Sequence, residues 1–308
     1  MQSKFKVVNS VIDLGTNTCL LLVASAENNQ ISTLYEAQEI PRIGKDLYET
    51  GRISDECFGK VSEIFKKYIS VSEKYNAKKI YAFGTSALRD AANGKEFIGF
   101  IKDRTGIEIK IISGTEEAKY SFEGALFDLG KPDEYAVIDI GGGSTELSFL
   151  SKGKIDSFSM DIGSVRLYEL FLKEEISSES LLNTGKFIRD NLNKAEFRIP
   201  DNKNLAGVAG TITTLSAIKN NLKDFEFNVI HKDKMTKEEI ENLFSKLIHM
   251  TKDERLNIGS YMKGRSDIII TGVLILLEIM NRYKFDSLIV SAKGLRYGLM
   301  LNLEEFNK

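Results

Sequence analysis

Proline is scarce in this chain, with 3 in 308 residues, and so little of it argues for continuous packed elements over flexible tails. Cysteine is as rare: Cys19 and Cys57 are too few for a disulfide framework and read as small buried fillers. The N-terminus also lacks a basic segment leading into a long apolar run, so a reducing, cytoplasmic setting is expected. His231 and His249 are the only 2 histidines, and both lie away from the glycine-rich loops. That scarcity argues against a Ser-His-Asp triad or a histidine-rich zinc site. No excess charge of one sign is present either. With 42 Lys and Arg against 44 Asp and Glu, the formal charge of −2 gives no global attraction to nucleic acid or to a membrane surface. The longest apolar stretch, Ile268 to Met280, is interrupted by Thr271, Gly272 and Glu278. It falls short of the roughly 20 residues needed to cross a bilayer and reads as a buried helix.

What the chain does have is a pair of aspartate-led glycine loops. Val11-Ile12-Asp13-Leu14-Gly15-Thr16-Asn17-Thr18 and Val137-Ile138-Asp139-Ile140-Gly141-Gly142-Gly143-Ser144-Thr145-Glu146 each follow an apolar run. Glycine lets the backbone turn tightly and present N–H groups to an anion, and the hydroxyl and amide side chains add donors. The repeat predicts two related phosphate-gripping hairpins. At about 150 residues per domain, the length also gives two domains, here 1–122 and 123–294, with a C-terminal helix over 295–308 packing back on the first.

The patterning predicts α/β architecture with a restart. Strands over Phe5 to Leu14, Cys19 to Ala26 and Ile31 to Ala37 form a first meander. A helix capped by Ser54 follows, with Val61, Ile64, Phe65, Tyr68 and Ile69 at helical spacing. Next come a strand at Lys79 to Phe83, helices at Ser86 to Ala92 and Phe97 to Arg104, and a strand at Glu108 to Ile112. A second meander at Tyr135 to Ile140, Thr145 to Leu150 and Lys154 to Phe158 repeats the order. Helices at Ser164 to Leu172, Ser178 to Lys194, Lys237 to Met250 and Ser266 to Arg282 surround strands at Leu205 to Ala209 and Ser287 to Val290. Thr236 to Glu239 is a capping-box sequence. The absence of a long linker predicts domains in close contact around a cleft.

A register count separates the two hairpins. Closing the second around Gly141 to Ser144 sets Asp139 opposite Glu146, and like charges directly opposed are destabilising. A hard divalent cation, Mg²⁺ by preference, would remove that penalty. The same count on the first hairpin sets Asp13 opposite Leu20, so that loop, with Gly15, Thr16, Asn17 and Thr18, is expected to hold phosphate. Asp13 would then organise the turn or a metal-bound water. Ser113-Gly114-Thr115-Glu116-Glu117-Ala118 opens a helix, and either glutamate can be a helix-dipole acid or a carboxylate that orients an attacking water. Arg89 and Arg265 stand at element junctions and are candidate phosphate contacts. Gly210 and Thr211 begin a helix after a strand, where an anion can also bind.

Taken together, these segments resemble a known family. Asp13 to Thr18, Thr85-Ser86-Ala87-Leu88-Arg89, Ser113 to Ala118, Asp139 to Glu146, Ile162-Gly163-Ser164-Val165-Arg166-Leu167 and Gly294-Leu295-Arg296-Tyr297-Gly298-Leu299 follow the motif order of the exopolyphosphatases and guanosine pentaphosphate phosphohydrolases. The resemblance implies duplicated domains of the actin, Hsp70 and sugar-kinase type, ribonuclease H-like in fold, flanking an interdomain cleft. It implies Mg²⁺-dependent release of terminal phosphate from inorganic polyphosphate or guanosine pentaphosphate. By motif position it assigns catalysis to Glu117 and the metal to Asp139 and Glu146. Read from the residues themselves, the candidate phosphate contacts are the first loop, Arg89, Gly141, Gly142, Gly143, Ser144, Thr145, Gly210, Thr211 and Arg265, with Asp13 and Glu116 supporting. Leu20 stands where the family usually has arginine. Larger members continue into a helical extension, whereas this sequence resembles the short two-domain form. A kinase or a non-hydrolytic phosphate sensor on the same fold stays open, as does a homodimer.

Overall fold

The apolar runs of the first third become a sheet because their hydrophobic residues fill both of its faces. In the computed structural model, which describes residues 7–27 and 30–306, the strands are β1 (Val8–Leu14), β2 (Cys19–Glu27), β3 (Gln30–Glu39), β4 (Ile80–Gly84) and β5 (Ile109–Ile111). Phe5 and Lys6, where the first strand was expected to begin, lie outside the described residues. The sheet order is β3-β2-β1-β4-β5, with the β1–β2–β3 meander antiparallel and β4 and β5 added in parallel. Ile12, Leu14, Leu21 and Val23 face a core shared with the helices Asp55–Lys74 and Gly94–Thr105. Within it, Val61, Phe65 and Tyr68 are fully buried, each contributing about 1.5–3 kcal/mol relative to exposure. Ser54 does not cap the first of these helices: its Oγ donates to Cys57 Sγ at 3.3 Å instead.

The chain clusters into two units, one running through Gly124 and resuming at Leu295, the other spanning Ala125–Gly294. In the first, the returning helix Leu295–Leu301 lies on β1 and β2. It approaches the helix Gly114–Leu126 so closely that a Cβ at Gly298 would stand 1.8 Å from the Tyr120 carbonyl oxygen. Gly298→Ala is therefore expected to cost about 2–4 kcal/mol, since backbone has to move to admit the methyl group. Chemical denaturation checks this, and an unchanged midpoint would contradict the packing.

The second unit repeats the plan. Its strands are β6 (Tyr135–Ile140), β7 (Thr145–Ser151), β8 (Lys154–Met160), β9 (Asn204–Val208), β10 (Lys234–Thr236) and β11 (Ser287–Val290). They run in the order β10-β11-β9-β6-β7-β8. An antiparallel meander, β6–β7–β8, is again extended by parallel strands, here β9 and β11, and β10 is added antiparallel at the edge. The helix Ile269–Tyr283 is buried along most of its length, which accounts for its nearly all-apolar sequence. The helix expected over Ser164 to Leu172 divides into an α-helical turn, Ser164–Leu167, and a π-helical turn, Tyr168–Leu172. The Thr236 capping box forms as read. Among the described residues no helix is long and apolar enough to cross a membrane.

Candidate active site

In the first unit the β1–β2 hairpin closes with the expected register, Asp13 opposite Leu20 and Leu14 opposite Cys19. Gly15 N–H donates to the Thr18 carbonyl at 2.9 Å, making the turn. The carbonyls of Thr16 and Asn17 accept from the amides of Gly44 and Arg42, at 2.9 and 3.1 Å, which fixes the loop from outside. Asp13, Thr16 and Asn17 are all buried.

The adjacent glutamates behave differently. Glu116 Oε2 accepts from the amide and hydroxyl of Ser113 at 2.8 and 2.9 Å, while its own N–H donates to Ser113 Oγ at 3.2 Å. That reciprocal pairing is a helix cap. Glu117 is 7% exposed, and its Oε2 receives Arg89 Nη1 at 3.0 Å. Arg89 Nη1 also donates to the Ile112 carbonyl at 2.8 Å. The arginine expected at phosphate thus fixes the buried glutamate, and a charge-assisted contact of this kind holds a carboxylate in one orientation.

In the second unit Asp139 faces Glu146 across β6 and β7. Both are buried, at 8% and 1% exposure. Glu146 also faces Ser159 of β8, whose Oγ donates to Glu146 Oε1 at 2.7 Å. Two buried carboxylates sharing a sheet face suit a hard cation. Among the described residues no group of three or more His, Cys, Asp or Glu side chains is placed to hold a metal. Mg²⁺ here would draw its remaining ligands from water and substrate oxygens, its usual habit.

The loop between these strands is held from behind by Gly163 to Arg166. The Gly141 carbonyl accepts from Ser164 N–H at 3.0 Å, and the Gly142 carbonyl from the amides of Val165 and Arg166 at 2.8 and 3.1 Å. The Gly143 carbonyl accepts from Arg166 Nε at 2.8 Å. In a trans peptide the N–H points opposite to the preceding C=O. The amides of Gly142, Gly143 and Ser144 therefore point away from this brace, forming an amide-lined face of the kind that receives anions. Thr145 takes no place on it: it is fully buried and its hydroxyl donates to the Ile162 carbonyl at 2.5 Å.

A third group gathers where β9 meets the helix Ala209–Lys219. Ala209 has φ of 70°, a left-handed conformation that a side chain adopts only when its surroundings enforce it. A Cβ at Gly210 would come within 2.8 Å of Arg265 Nε, so the absence of a side chain lets the guanidinium lie against the helix start. Burial lowers the Arg265 pKa to about 10, and the side chain stays cationic at neutral pH. Thr211 instead packs on Gly272, where a Cβ would stand 2.3 Å from Thr211 Oγ1.

Sequence reasoning missed Ser159 and the bracing role of Arg166. Extending the register count to β8 would have found the serine, since Ser159 directly faces Glu146. Arg166 falls in one of the family-like segments, but nothing near it in sequence shows its bracing role, because the carbonyl it braces belongs to a loop more than 20 residues earlier.

Each unit sets three meandering strands beside parallel ones and carries an aspartate-led glycine hairpin on its central strand, the plan of a protein built from duplicated actin-like α/β domains. The chain belongs to the Ppx/GppA phosphatase family, whose description matches residues 22–306, and is an enzyme of that class, as the motifs from Asp13 to Leu299 implied. It is 34% identical to the bifunctional 3-dehydroquinate synthase/phosphatase of Fusobacterium nucleatum, over 97% of this chain and 47% of that protein. The chain thus spans about half the length of that relative. It is 29% identical to exopolyphosphatase 2 of Mycobacterium tuberculosis, over 96% of this chain and 98% of that protein. Among solved structures, the Aquifex aeolicus Ppx/GppA family member superposes with a TM-score of 0.80 at 27% identity, covering 98% of this chain and 99% of that one.

Proposed function

We propose that this chain is an exopolyphosphatase, releasing terminal orthophosphate from inorganic polyphosphate by Mg²⁺-dependent hydrolysis. The observation that carries this reading is the buried Glu117 fixed by Arg89 at 3.0 Å. A carboxylate so held can take a proton from a water molecule as the water oxygen attacks the terminal phosphorus. The bond from phosphorus to the bridging oxygen then breaks, the electron pair leaves with the shortened chain, and orthophosphate departs. Loose phosphoryl-transfer transition states gain most from positioning and charge stabilisation. The outward amides of Gly142, Gly143 and Ser144 supply fixed donors, and Arg265 a buried cation. Asp139 and Glu146 would hold Mg²⁺, which when bound neutralises charge on phosphate oxygens.

Polyphosphate is taken ahead of guanosine pentaphosphate because the relative matched over 98% of its length is named an exopolyphosphatase. Leu20, opposite Asp13, stands where family resemblance places an arginine, and losing that charge should weaken binding of guanosine pentaphosphate and of long polyphosphate alike. Phosphate release measured in parallel from short polyphosphate, long polyphosphate and guanosine pentaphosphate tests this. Faster turnover of the nucleotide would reverse the substrate assignment. Tight binding without release would make the protein a sensor, and transfer from ATP to an acceptor a kinase. We place the reaction in the cytoplasm.

The metal assignment has its own readout. Mg²⁺ should stabilise the wild-type protein by about 2.7 kcal/mol at a hundredfold excess over Kd, seen as a raised unfolding midpoint. Asp139→Asn should lose most of that increment, and an undiminished Mg²⁺ shift would show that the ion binds elsewhere.

A further inference from the structure

Arg255, in the short helix Lys252–Leu256, has no part in the chemistry above, yet it is only 3% exposed. Its Nε donates to the Ser266 carbonyl at 2.6 Å, and its Nη1 to the carbonyls of Leu247 and Met250 at 3.1 and 2.7 Å. Those bonds close the end of the helix Lys237–His249 and would suffice for a structural arginine. They leave Nη2, with its two N–H donors, making no hydrogen bond to any described residue. Asp267, the nearby buried acid, is paired with Lys252 at 3.4 Å and acts on this guanidinium by its charge.

Arg255 borders an open cleft of about 430 Å³ that lies within the second unit. Small-molecule sites commonly have volumes of about 300–1,000 Å³. One wall comes from the π-helical turn Tyr168–Leu172, an irregularity that occurs often at functional sites. Leu172, Ile176, Ile248 and Met250 supply apolar surface. The charged lining is balanced, with Lys173, Lys252 and Arg255 against Glu174, Glu175 and Asp267. Such a lining gives a polyanion no net attraction, so a phosphate chain is a poor occupant. A single anionic head with an apolar body matches both the guanidinium and the wall.

We propose that this cleft is a second ligand site, separate from the phosphate-handling residues, that binds a small organic monoanion with its carboxylate on Arg255 Nη2 and its body against Leu172, Ile176 and Ile248. The assignment does not depend on the substrate of the enzyme.

Binding of hexanoate to the full chain, followed by amide chemical shifts, tests the site, with hexanol as the uncharged comparison. Hexanoate should saturate with shifts centred on residues 168–176 and 248–255. Hexanol should bind at least about tenfold more weakly, the effect of losing a charge-assisted hydrogen bond. Arg255→Met removes the head contact but also strips three carbonyls of their donor, so Ile176→Trp is the decisive variant. Ile176 is partly exposed, and the larger ring should fill the cleft, lowering hexanoate affinity by at least about tenfold with the unfolding midpoint retained. Equal affinity for hexanol, unchanged binding to Ile176→Trp, no saturation, or displacement of hexanoate by tripolyphosphate would each overturn the proposal.

Discussion

Phosphate release by Glu117→Gln is expected to fall about 100-fold or more, the range seen when a general base is lost, while the fold is retained. Glutamine keeps the length of glutamate, and its amide oxygen can still accept from Arg89 Nη1, so the contact at 3.0 Å survives as a weaker neutral one. What is lost is the capacity to take a proton from water. The loss should appear in kcat with KM little changed, because substrate phosphates are assigned to other groups. The neighbouring glutamate provides the contrast. Glu116→Ala removes a cap formed with Ser113 and should cost about 0.5–1.5 kcal/mol of stability with a far smaller effect on turnover. Near-normal turnover in Glu117→Gln, or a larger loss in Glu116→Ala, would move the role to the other residue.

Gly163→Ala is expected to damage both stability and activity. A Cβ at this position would stand 2.4 Å from the carbonyl carbon and oxygen of Gly142 and from the carbonyl carbon of Gly143. All three are backbone atoms, so the contact cannot be relieved by rotating a side chain. The segment bearing Ser164 to Arg166 must separate from the loop, and its bonds to the Gly141, Gly142 and Gly143 carbonyls weaken together. We expect a stability loss of about 2–4 kcal/mol. Turnover should fall about 100-fold, the usual consequence of misplacing a binding group by 1 Å. Denaturation and phosphate release measured on the same preparation check both. Full activity in this variant would show that the brace does not set the loop.

Much of the fold was legible because its signals are local. Period-2 and helical patterns located most strands and the long helices, and counting around a four-residue turn placed Asp139 opposite Glu146 and Asp13 opposite Leu20. Residues that act through distant partners were harder to read. For Arg89, a candidate phosphate contact by its place at an element junction, the sequence gives no hint that Glu117 and the Ile112 carbonyl also lie beside it. Thr145 shared its composition with the loop, but its strand position turned the hydroxyl to the Ile162 carbonyl. The three-residue strand β10 was too short to show a period, and the π-helical turn at Tyr168–Leu172 has the same apolar spacing as an ordinary helix.

The return of Leu295–Leu301 to β1 and β2 fixes an order of events during synthesis. Val11, Leu22 and Ala24 are fully buried on the sheet face opposite the core that holds Ile12, Leu21 and Val23, and their covering helix is translated some 270 residues later. A nascent chain that has emerged only as far as Gly294 can complete its second unit, whose residues are contiguous, while the first waits with an apolar face uncovered. Of the two units, the one whose synthesis starts earlier is closed later, and in that interval its uncovered apolar face is open to aggregation or to a chaperone.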